Sequence, residues 1–218
     1  MRTIRWPAVV VILATALLVL APSAPASPPN GHGLLHPPNG SYRGHSAGYW
    51  LAQWWAGALS APADESNPAI SGGCALQGKV ALHYGGDCEV PPGTSVFEML
   101  FSTECSNREP DPFHAESPAQ AEACGRANAG AATLLDLRVD DGPWLHLLDS
   151  RYATVIPWTT VAWPENNLYG LPGGGQISFG GYGYAVLIRP LSRGSHTIDF
   201  NPQGEGAPPP THSVITVG

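Results

Sequence analysis

Four acidic side chains lie in or beside predicted strands, where a carboxylate can act as an acid, a base or a nucleophile. A glycoside hydrolase needs two such groups facing each other across a cleft, roughly 5 to 10 Å apart. The sequence offers carboxylates of the right type but does not place any two of them together. The candidates are Glu98, Glu104, Asp136 and Asp149.

Glu98 stands out among these carboxylates because of its surroundings. Residues 94–102 form a predicted strand that carries Val96, Glu98 and Leu100 on one side and mostly apolar residues on the other. A carboxylate in such a run must be paired, lie at an exposed edge or have a raised pKa. Glu104 opens the acidic segment 104–116. Glu98 and Glu104 are therefore the candidate catalytic residues, although the sequence assigns no reaction to either.

Histidine and serine together offer a second chemistry. A serine hydrolase could recruit one of several histidines, but the chain has no G-x-S-x-G motif. A cysteine nucleophile is not expected either, because all four cysteines can pair. His196, at the start of a strand, is predicted to bond a turn carbonyl. The histidines considered are His83, His114, His146 and His196.

The sequence predicts no metal site and no cofactor. His32, His36 and His45 lie in a segment rich in Pro and Gly, whose spacing fixes no coordination geometry. The acidic residues of 104–116 lack the ordered ligand spacing of an EF-hand. The chain contains no H-E-x-x-H helix, Walker loop, Rossmann fingerprint or C-x-x-C pair.

The four cysteines predict two disulfides in an exported protein. Four cysteines allow three connectivities, and neighbours in sequence meet most easily across turn-rich segments. We expect Cys74 to pair with Cys88 and Cys105 with Cys124. Each bond would close a loop of roughly 15 to 20 residues, which stabilises the fold by about 3 kcal/mol in the chain-entropy model.

The first 26 residues have the pattern of a secretory signal peptide. Arg2 and Arg5 precede an apolar run over residues 9–21, which is shorter than the roughly 20 residues that span a bilayer. Small residues near Ala26 suit signal peptidase. We therefore predict a signal peptide at 1–26, a flexible arm rich in Pro, Gly and His at 27–45, and a single domain at 46–218, secreted from the cell.

Composition excludes some partners. The net charge is −7 at pH 7, and Lys79 is the only lysine. A surface with so few basic side chains would displace few of the counterions that surround a phosphate backbone. Nucleic acid is therefore not expected as a partner. Binding to anionic lipid is disfavoured for the same reason, and no membrane contact is expected after signal cleavage. Neither the net charge nor the lysine content predicts an oligomeric state.

Few charged residues, 26 glycines and 23 prolines indicate short strands joined by turns rather than a helical protein. Residues 46–61 form one amphipathic helix, with Trp50, Trp54 and Trp55 spaced along one broad face. Such tryptophans can stack on sugars, but the interpretation as core residues is favoured. A short helix is predicted after Ser117, over residues 119–129.

The fold class predicted is mainly β: a two-sheet antiparallel β-sandwich with one Trp-rich amphipathic helix and one short helix. About eight or nine strands are expected. Residues 182–200 read as a hairpin with a turn at Pro190, and residues 211–217 should pair with its second strand. Pro157 should place residues 152–163 at a sheet edge or a kink.

Several motifs resemble those of a group of uncharacterised bacterial secreted proteins. They include Tyr49-Trp50-x-x-x-Trp54-Trp55, Cys88-x-Val90-Pro91-x-Gly93 and Pro190-Leu191-x-x-Gly194-x-His196-Thr197-Ile198-x-Phe200. The resemblance implies export, disulfides and an Ig-like or jelly-roll-type β-sandwich. It carries over no catalytic residue.

Two functions follow as expectations. The first is a secreted, non-catalytic β-sandwich protein that binds an extracellular glycan or the cell envelope, because export is predicted and no reaction motif is found. The alternative is an extracellular hydrolase that acts on glycans or esters through acidic residues. The sequence does not decide whether the protein is an enzyme, and the missing motifs favour the non-catalytic role.

Overall fold

A computed structural model of the chain describes residues 33–38 and 40–218. The predicted signal peptide and the first part of the predicted arm, residues 27–32, lie outside these residues. The described chain forms three helices and ten strands in two five-stranded sheets. The predicted β-sandwich is therefore confirmed.

The helices are α1 Ala47–Ser60, α2 Pro68–Ser71 and α3 Pro118–Ala129. The strands are β1 Cys74–Gln77, β2 Val80–His83, β3 Cys88–Val90, β4 Ser95–Ser106, β5 Ala132–Val139, β6 Leu145–His146, β7 Ala153–Ala162, β8 Gln176–Ile188, β9 Gly194–Gly204 and β10 Thr211–Val217. No helix in this part of the chain is long and apolar enough to cross a bilayer.

The strand order is β1-β2-β4-β8-β7 in the first sheet and β3-β10-β9-β5-β6 in the second. Most neighbours are antiparallel, but β2 pairs with β4 in parallel and β3 pairs with β10 in parallel. Each sheet is therefore mixed rather than wholly antiparallel. The cause is the path of the chain: β3 lies between β2 and β4 in sequence but joins the other sheet, so β4 returns in the direction of β2.

Two apolar layers hold the fold together. The layer between the sheets contains Val96, Leu135 and Ile198, and the layer between the first sheet and α1 contains Leu51 and Phe97. The first sheet is thus covered on both faces. This double coverage explains why β2 and β4 are apolar almost throughout, since a strand buried on both faces has no polar side.

Helix α1 begins after Ser46, whose hydroxyl accepts a hydrogen bond from the Tyr49 N–H at 3.3 Å. Trp50 and Trp54 are only 5% and 8% exposed, which confirms their interpretation as core residues. The indole N–H of Trp54 donates to the His83 carbonyl at 2.8 Å. Trp55 is half-buried and donates to Ser102 Oγ at 2.9 Å.

The predicted hairpin over residues 182–200 is wrong. Strands β8 and β9 do not pair, because β8 lies in the first sheet and β9 in the second. Pro190 falls in the connection that crosses between them, and Ile188 and Ile198 enter the same core from opposite sheets. Two strands that face the same core from opposite sheets show the same alternation of apolar residues as the two strands of a hairpin. The sequence pattern therefore does not distinguish the two arrangements. The predicted pairing with residues 211–217 is confirmed.

Both predicted disulfides are present. Cys74 bonds to Cys88, which joins the outermost strand of the first sheet to the outermost strand of the second. Cys105 bonds to Cys124 and fastens α3 to β4. The described residues contain no free cysteine.

Two further segments differ from a simple strand pattern. Strand β7 lies at the sheet edge, as predicted, and it is continuous through Pro157, with a register shift against β8 between Ile156 and Thr159. Near the chain start, Leu34 and Leu35 are buried, and Arg189 N–H donates to the Leu34 carbonyl at 2.8 Å. The sequence shows no hydrophobic period there that would predict this packing.

Candidate functional site

Strand β4 carries both candidate carboxylates and places them on opposite faces of the first sheet. Residues 98 and 104 would share a face in a regular strand, because side chains alternate with a period of two. The register with β8 shifts between Met99 and Phe101, so that Leu100 and Phe101 both face the layer between the sheets. Beyond this bulge, Glu104 lies on the α1 side of the sheet, whereas Glu98 faces the second sheet.

Glu98 forms a buried ion pair with His83. The parallel register of β2 and β4 sets the two residues directly opposite each other. Nδ1 of His83 donates to Oε2 of Glu98 at 2.6 Å, and Nε2 donates to the Gly86 carbonyl at 2.9 Å. Their side chains are 2% and 8% exposed. Because a carbonyl oxygen can only accept, Nε2 must carry a proton.

The imidazole of His83 is charged at neutral pH. Burial acts to lower its pKa, but the charge and hydrogen bond of Glu98 and the Gly86 carbonyl outweigh burial and raise the pKa to about 9. Both ring nitrogens are thus occupied donors. Such a ring has no lone pair to accept a proton from a serine, so His83 is not arranged as a general base.

A groove of about 630 Å³ opens beside this pair. Its size lies within the usual range for ligand sites, roughly 300 to 1,000 Å³. The β2 end, the middle of β4, α3 and the loop between β9 and β10 contribute its walls. Aromatic side chains dominate the apolar part of the lining: Trp54, Tyr84, Phe101, Phe113 and Phe200.

One oxygen of Glu98 is available to this groove. Oε2 accepts the His83 hydrogen bond, whereas Oε1 has no partner within the described residues. Oε1 is not sealed from solvent either, so water or a ligand can reach it. The groove therefore contains a carboxylate oxygen in largely apolar surroundings. A ligand donor would find its strongest acceptor there, since hydrogen bonds to a charged acceptor are the strong ones.

Glu104 belongs to a second acidic cluster, under the loop between β7 and β8. The Tyr169 hydroxyl donates to Glu104 Oε1, and Ser106 Oγ donates to Glu109 Oε2 at 2.9 Å. Glu104 is 3% exposed, and its Oε2 is sealed from solvent without a donor in reach. A buried carboxylate oxygen without a donor is costly, which points to a proton on this atom.

The pKa values of the cluster agree with that proton. Burial first, and then the charge of Glu109, raise the pKa of Glu104 well above its usual range. Burial also raises the pKa of Glu109, while its bond with Glu104 lowers it. We therefore assign a carboxyl at Glu104 that donates to a carboxylate at Glu109. A proton on Glu104 removes the negative charge that the sealed Oε2 atom would otherwise carry without a donor.

The remaining sequence candidates lie apart from both clusters, except His114, whose Nδ1 donates to the Glu109 backbone carbonyl at 2.9 Å. Asp136 accepts from His146 at 2.7 Å on the second sheet, and Asp149 begins a short turn beside Arg151 at the surface. His114 pairs with Glu116 in an exposed loop. His196 contacts the Ser192 carbonyl at 3.0 Å, which confirms the predicted bond to a turn carbonyl, and it also pairs with Asp140.

Within the described residues, the two candidate catalytic carboxylates, Glu98 and Glu104, do not face each other across a cleft. Glu98 and Glu104 are separated by the first sheet, and the partner of Glu104 is Glu109, with which it shares a hydrogen bond. A glycosidase pair must instead stand roughly 5 to 10 Å apart with the sugar between them. In the described residues, no group of three His, Cys, Asp or Glu side chains is placed to hold a metal ion.

The sequence does not indicate that three residues of these clusters are partners of the two carboxylates: His83, Glu109 and Tyr169. The alternation of His83 with apolar residues in a strand was a usable signal, because it paralleled the position of Glu98 in its own strand. The pairing itself depends on register between β2 and β4. Tyr169 lies in a Gly- and Pro-rich loop, and nothing local indicates that it covers Glu104.

Comparison with known proteins gives little. No known protein family and no curated protein matches the sequence. Among solved structures, the cysteine protease inhibitor EhICP2 from Entamoeba histolytica aligns at 9% identity over 64% of this chain and 94% of that chain, with a TM-score of 0.24. A likeness this low supports no conclusion on fold or function.

Proposed function

We propose that the protein is a secreted, non-catalytic binding protein that holds a cell-envelope component or an extracellular glycan in the groove beside His83 and Glu98. The observation that carries this proposal is the available Oε1 of Glu98 inside a groove of about 630 Å³. Two disulfides between distant elements support an oxidising environment such as the cell exterior.

The His83–Glu98 ion pair is costly to bury. A buried pair of charges often contributes no net stability compared with apolar residues of the same volume. A fold that needed only stability could place apolar side chains at both positions. An ionised carboxylate that keeps one oxygen open to a groove instead suits recognition of a donor on a ligand.

The His83 geometry favours binding over catalysis. Its two N–H groups are both engaged, by Glu98 and by the Gly86 carbonyl, so the ring stabilises the carboxylate rather than moving protons. Glu98 thereby keeps its cationic partner when the groove loses water on ligand binding. It acts as a fixed acceptor.

Retention on insoluble material tests the proposal. The mature chain is incubated with the envelope fraction of the producing organism and with insoluble cell-wall polysaccharides, and the bound fraction is measured after washing. We expect retention by at least one of these materials, and a loss of about tenfold or more for Glu98→Gln, since a hydrogen bond to a charged group is worth about 1.5–3 kcal/mol. No retention by any of them would contradict the proposal.

A further inference from the structure

One edge of β4 is only partly paired. Strand β2 covers Ser95 to Glu98 on that edge, in parallel. The next contact is at Ser106, whose N–H donates to the Phe113 carbonyl at 3.1 Å and whose carbonyl accepts from the Ala115 N–H at 2.9 Å. Between Met99 and Cys105, no backbone group of the described residues pairs with β4 on this side.

Ser102 directs its backbone groups to this unpaired edge. Backbone groups of alternate residues in a strand point to the same side. Ser102 lies four residues before Ser106, which bonds on the unpaired side, and no register shift separates the two residues. A Cβ atom on Gly183, which lies opposite, would fall 2.3 Å from the Ser102 Cβ. So close an approach is typical of a non-hydrogen-bonded pair, whose N–H and C=O groups point away from the neighbouring strand.

The groove runs along the same edge. Residues 99–103 line it in an unbroken series, with His83 and Gly85 at the end of β2 and Phe113 in the loop that reaches Ser106. A strand advances about 3.3 Å per residue, so the space alongside these five residues accepts an extended segment of similar length. An unpaired strand edge is a template for another extended backbone, which offers donors and acceptors at the matching spacing.

The charges of the groove indicate the side chains of such a segment. Among the described residues that line the groove, Glu98 and Glu205 are the acidic ones, and none is a lysine or an arginine. The one cation in the lining, His83, already uses both N–H groups. A lysine, an arginine or an amino terminus placed at the β2 end would therefore meet the available Oε1 of Glu98.

We propose that the envelope component is a protein, and that an extended segment of it with a basic group near Glu98 adds as a strand to β4 along residues 99–103. This inference rests on the proposed binding function. The segment continues the line of β2, so its backbone bonds to Ser102, its cation pairs with Glu98, and its alternate side chains enter the aromatic part of the groove.

An N-methyl scan of the bound peptide tests strand addition on the unaltered protein. Peptides that bind the mature chain are selected from a random decapeptide library, and each backbone nitrogen of the best one is then methylated in turn. We expect losses of about tenfold or more at every second position and little change between them, because alternate N–H groups face the β4 edge. Selection of no peptide, or losses without this period, would overturn the proposal.

A matched pair of variants tests the edge from the side of the protein. Ser102→Pro removes the N–H that faces the groove and leaves the β8 ladder intact, whereas Ser102→Ala keeps that N–H and removes only the hydroxyl. We expect Ser102→Pro to abolish binding of the selected peptide and Ser102→Ala to retain it, with near-UV circular dichroism as the control for folding. Equal effects of the two substitutions would contradict strand addition.

Digestion of the envelope fraction separates this inference from the function on which it rests. Retention that is lost after protease treatment and survives glycan-degrading enzymes supports a protein partner. Retention that survives protease and is lost with the glycan overturns the inference while the binding function stands. A dimer of the chain that Ser102→Pro dissociates would also overturn it, because a second copy would then occupy the edge.

Discussion

Two buried acidic clusters on one strand have opposite electrostatic designs. At Glu98, a charged imidazole balances a carboxylate, and one carboxylate oxygen stays open to a groove. At Glu104, a proton balances the charge, and Tyr169 and Glu109 close the site. Burial of a carboxylate therefore does not by itself mark a functional site. What separates the two clusters is whether an unused acceptor faces a space that a ligand can enter.

The largest effect should follow from removing the cation of the first cluster. His83→Leu removes one partner of the buried pair and leaves Glu98 unpaired, and we expect a loss of about 3–5 kcal/mol in the free energy of unfolding. The measurement is chemical denaturation at pH 7. The double variant His83→Leu with Glu98→Leu is the control and should recover most of the loss, since a hydrophobic pair replaces the ions. If the double variant recovers none of the lost stability, the unpaired carboxylate is not the reason why His83→Leu is less stable.

The second prediction concerns the titration of His83. Because Glu98 holds the His83 pKa at about 9 against the effect of burial, Glu98→Gln should drop it below 6.5. Ring-proton NMR against pH gives both values. The same shift governs stability: the contribution of His83 is complete below pH 6.5 and is lost as the pH rises through about 9. An unchanged titration in the variant would break the assignment of Glu98 as the partner.

Tyr169→Phe should have an intermediate effect on the second cluster. The hydroxyl that donates to Glu104 Oε1 is lost, and the buried oxygen keeps no partner, which costs about 1–3 kcal/mol in the free energy of unfolding. Tyr49→Phe serves as the matched control, because the Tyr49 hydroxyl makes no hydrogen bond within the described residues. Equal losses for the two variants would remove the special role of Tyr169.

Glu104→Gln should have the smallest effect. The new amide can donate to Glu109 and accept from Tyr169, as the protonated carboxyl does, so the free energy of unfolding at pH 4 should change by less than about 1 kcal/mol. The folded pKa of Glu104 lies above the unfolded value of 4.5, so its contribution is complete below pH 4.5 and is lost as the pH rises through the folded pKa. Relative to the wild type, the variant should therefore gain stability with pH. If the variant loses stability with rising pH as much as the wild type does, Glu104 does not carry the proton.

Local patterns predicted much of the fold. Helical spacing of tryptophans placed α1 to within a residue at each end, and the turn-rich segments between neighbouring cysteines favoured the observed disulfides. The predicted pairing of β9 with β10 was also correct. These features depend on residues close in sequence, where periodicity and loop closure act.

The site depended on contacts between distant residues. The register that opposes His83 and Glu98 follows from a parallel pairing across an excursion to the other sheet, and no local pattern specifies it. The bulge at Leu100 decides that Glu98 and Glu104 do not share a face. The crossing at Pro190 has the same local sequence pattern as a hairpin. Each outcome is set by packing between sheets, which a single sequence does not display.

The retention of two matched variants tests whether Glu98 holds the ligand. Glu98→Gln and Glu104→Gln make the same chemical change at two buried positions of β4, and each is compared with the wild type for binding to the envelope fraction. We expect Glu98→Gln to lose binding by about tenfold or more and Glu104→Gln to bind as the wild type does. Full binding by Glu98→Gln, or an equal loss in both variants, would contradict this expectation.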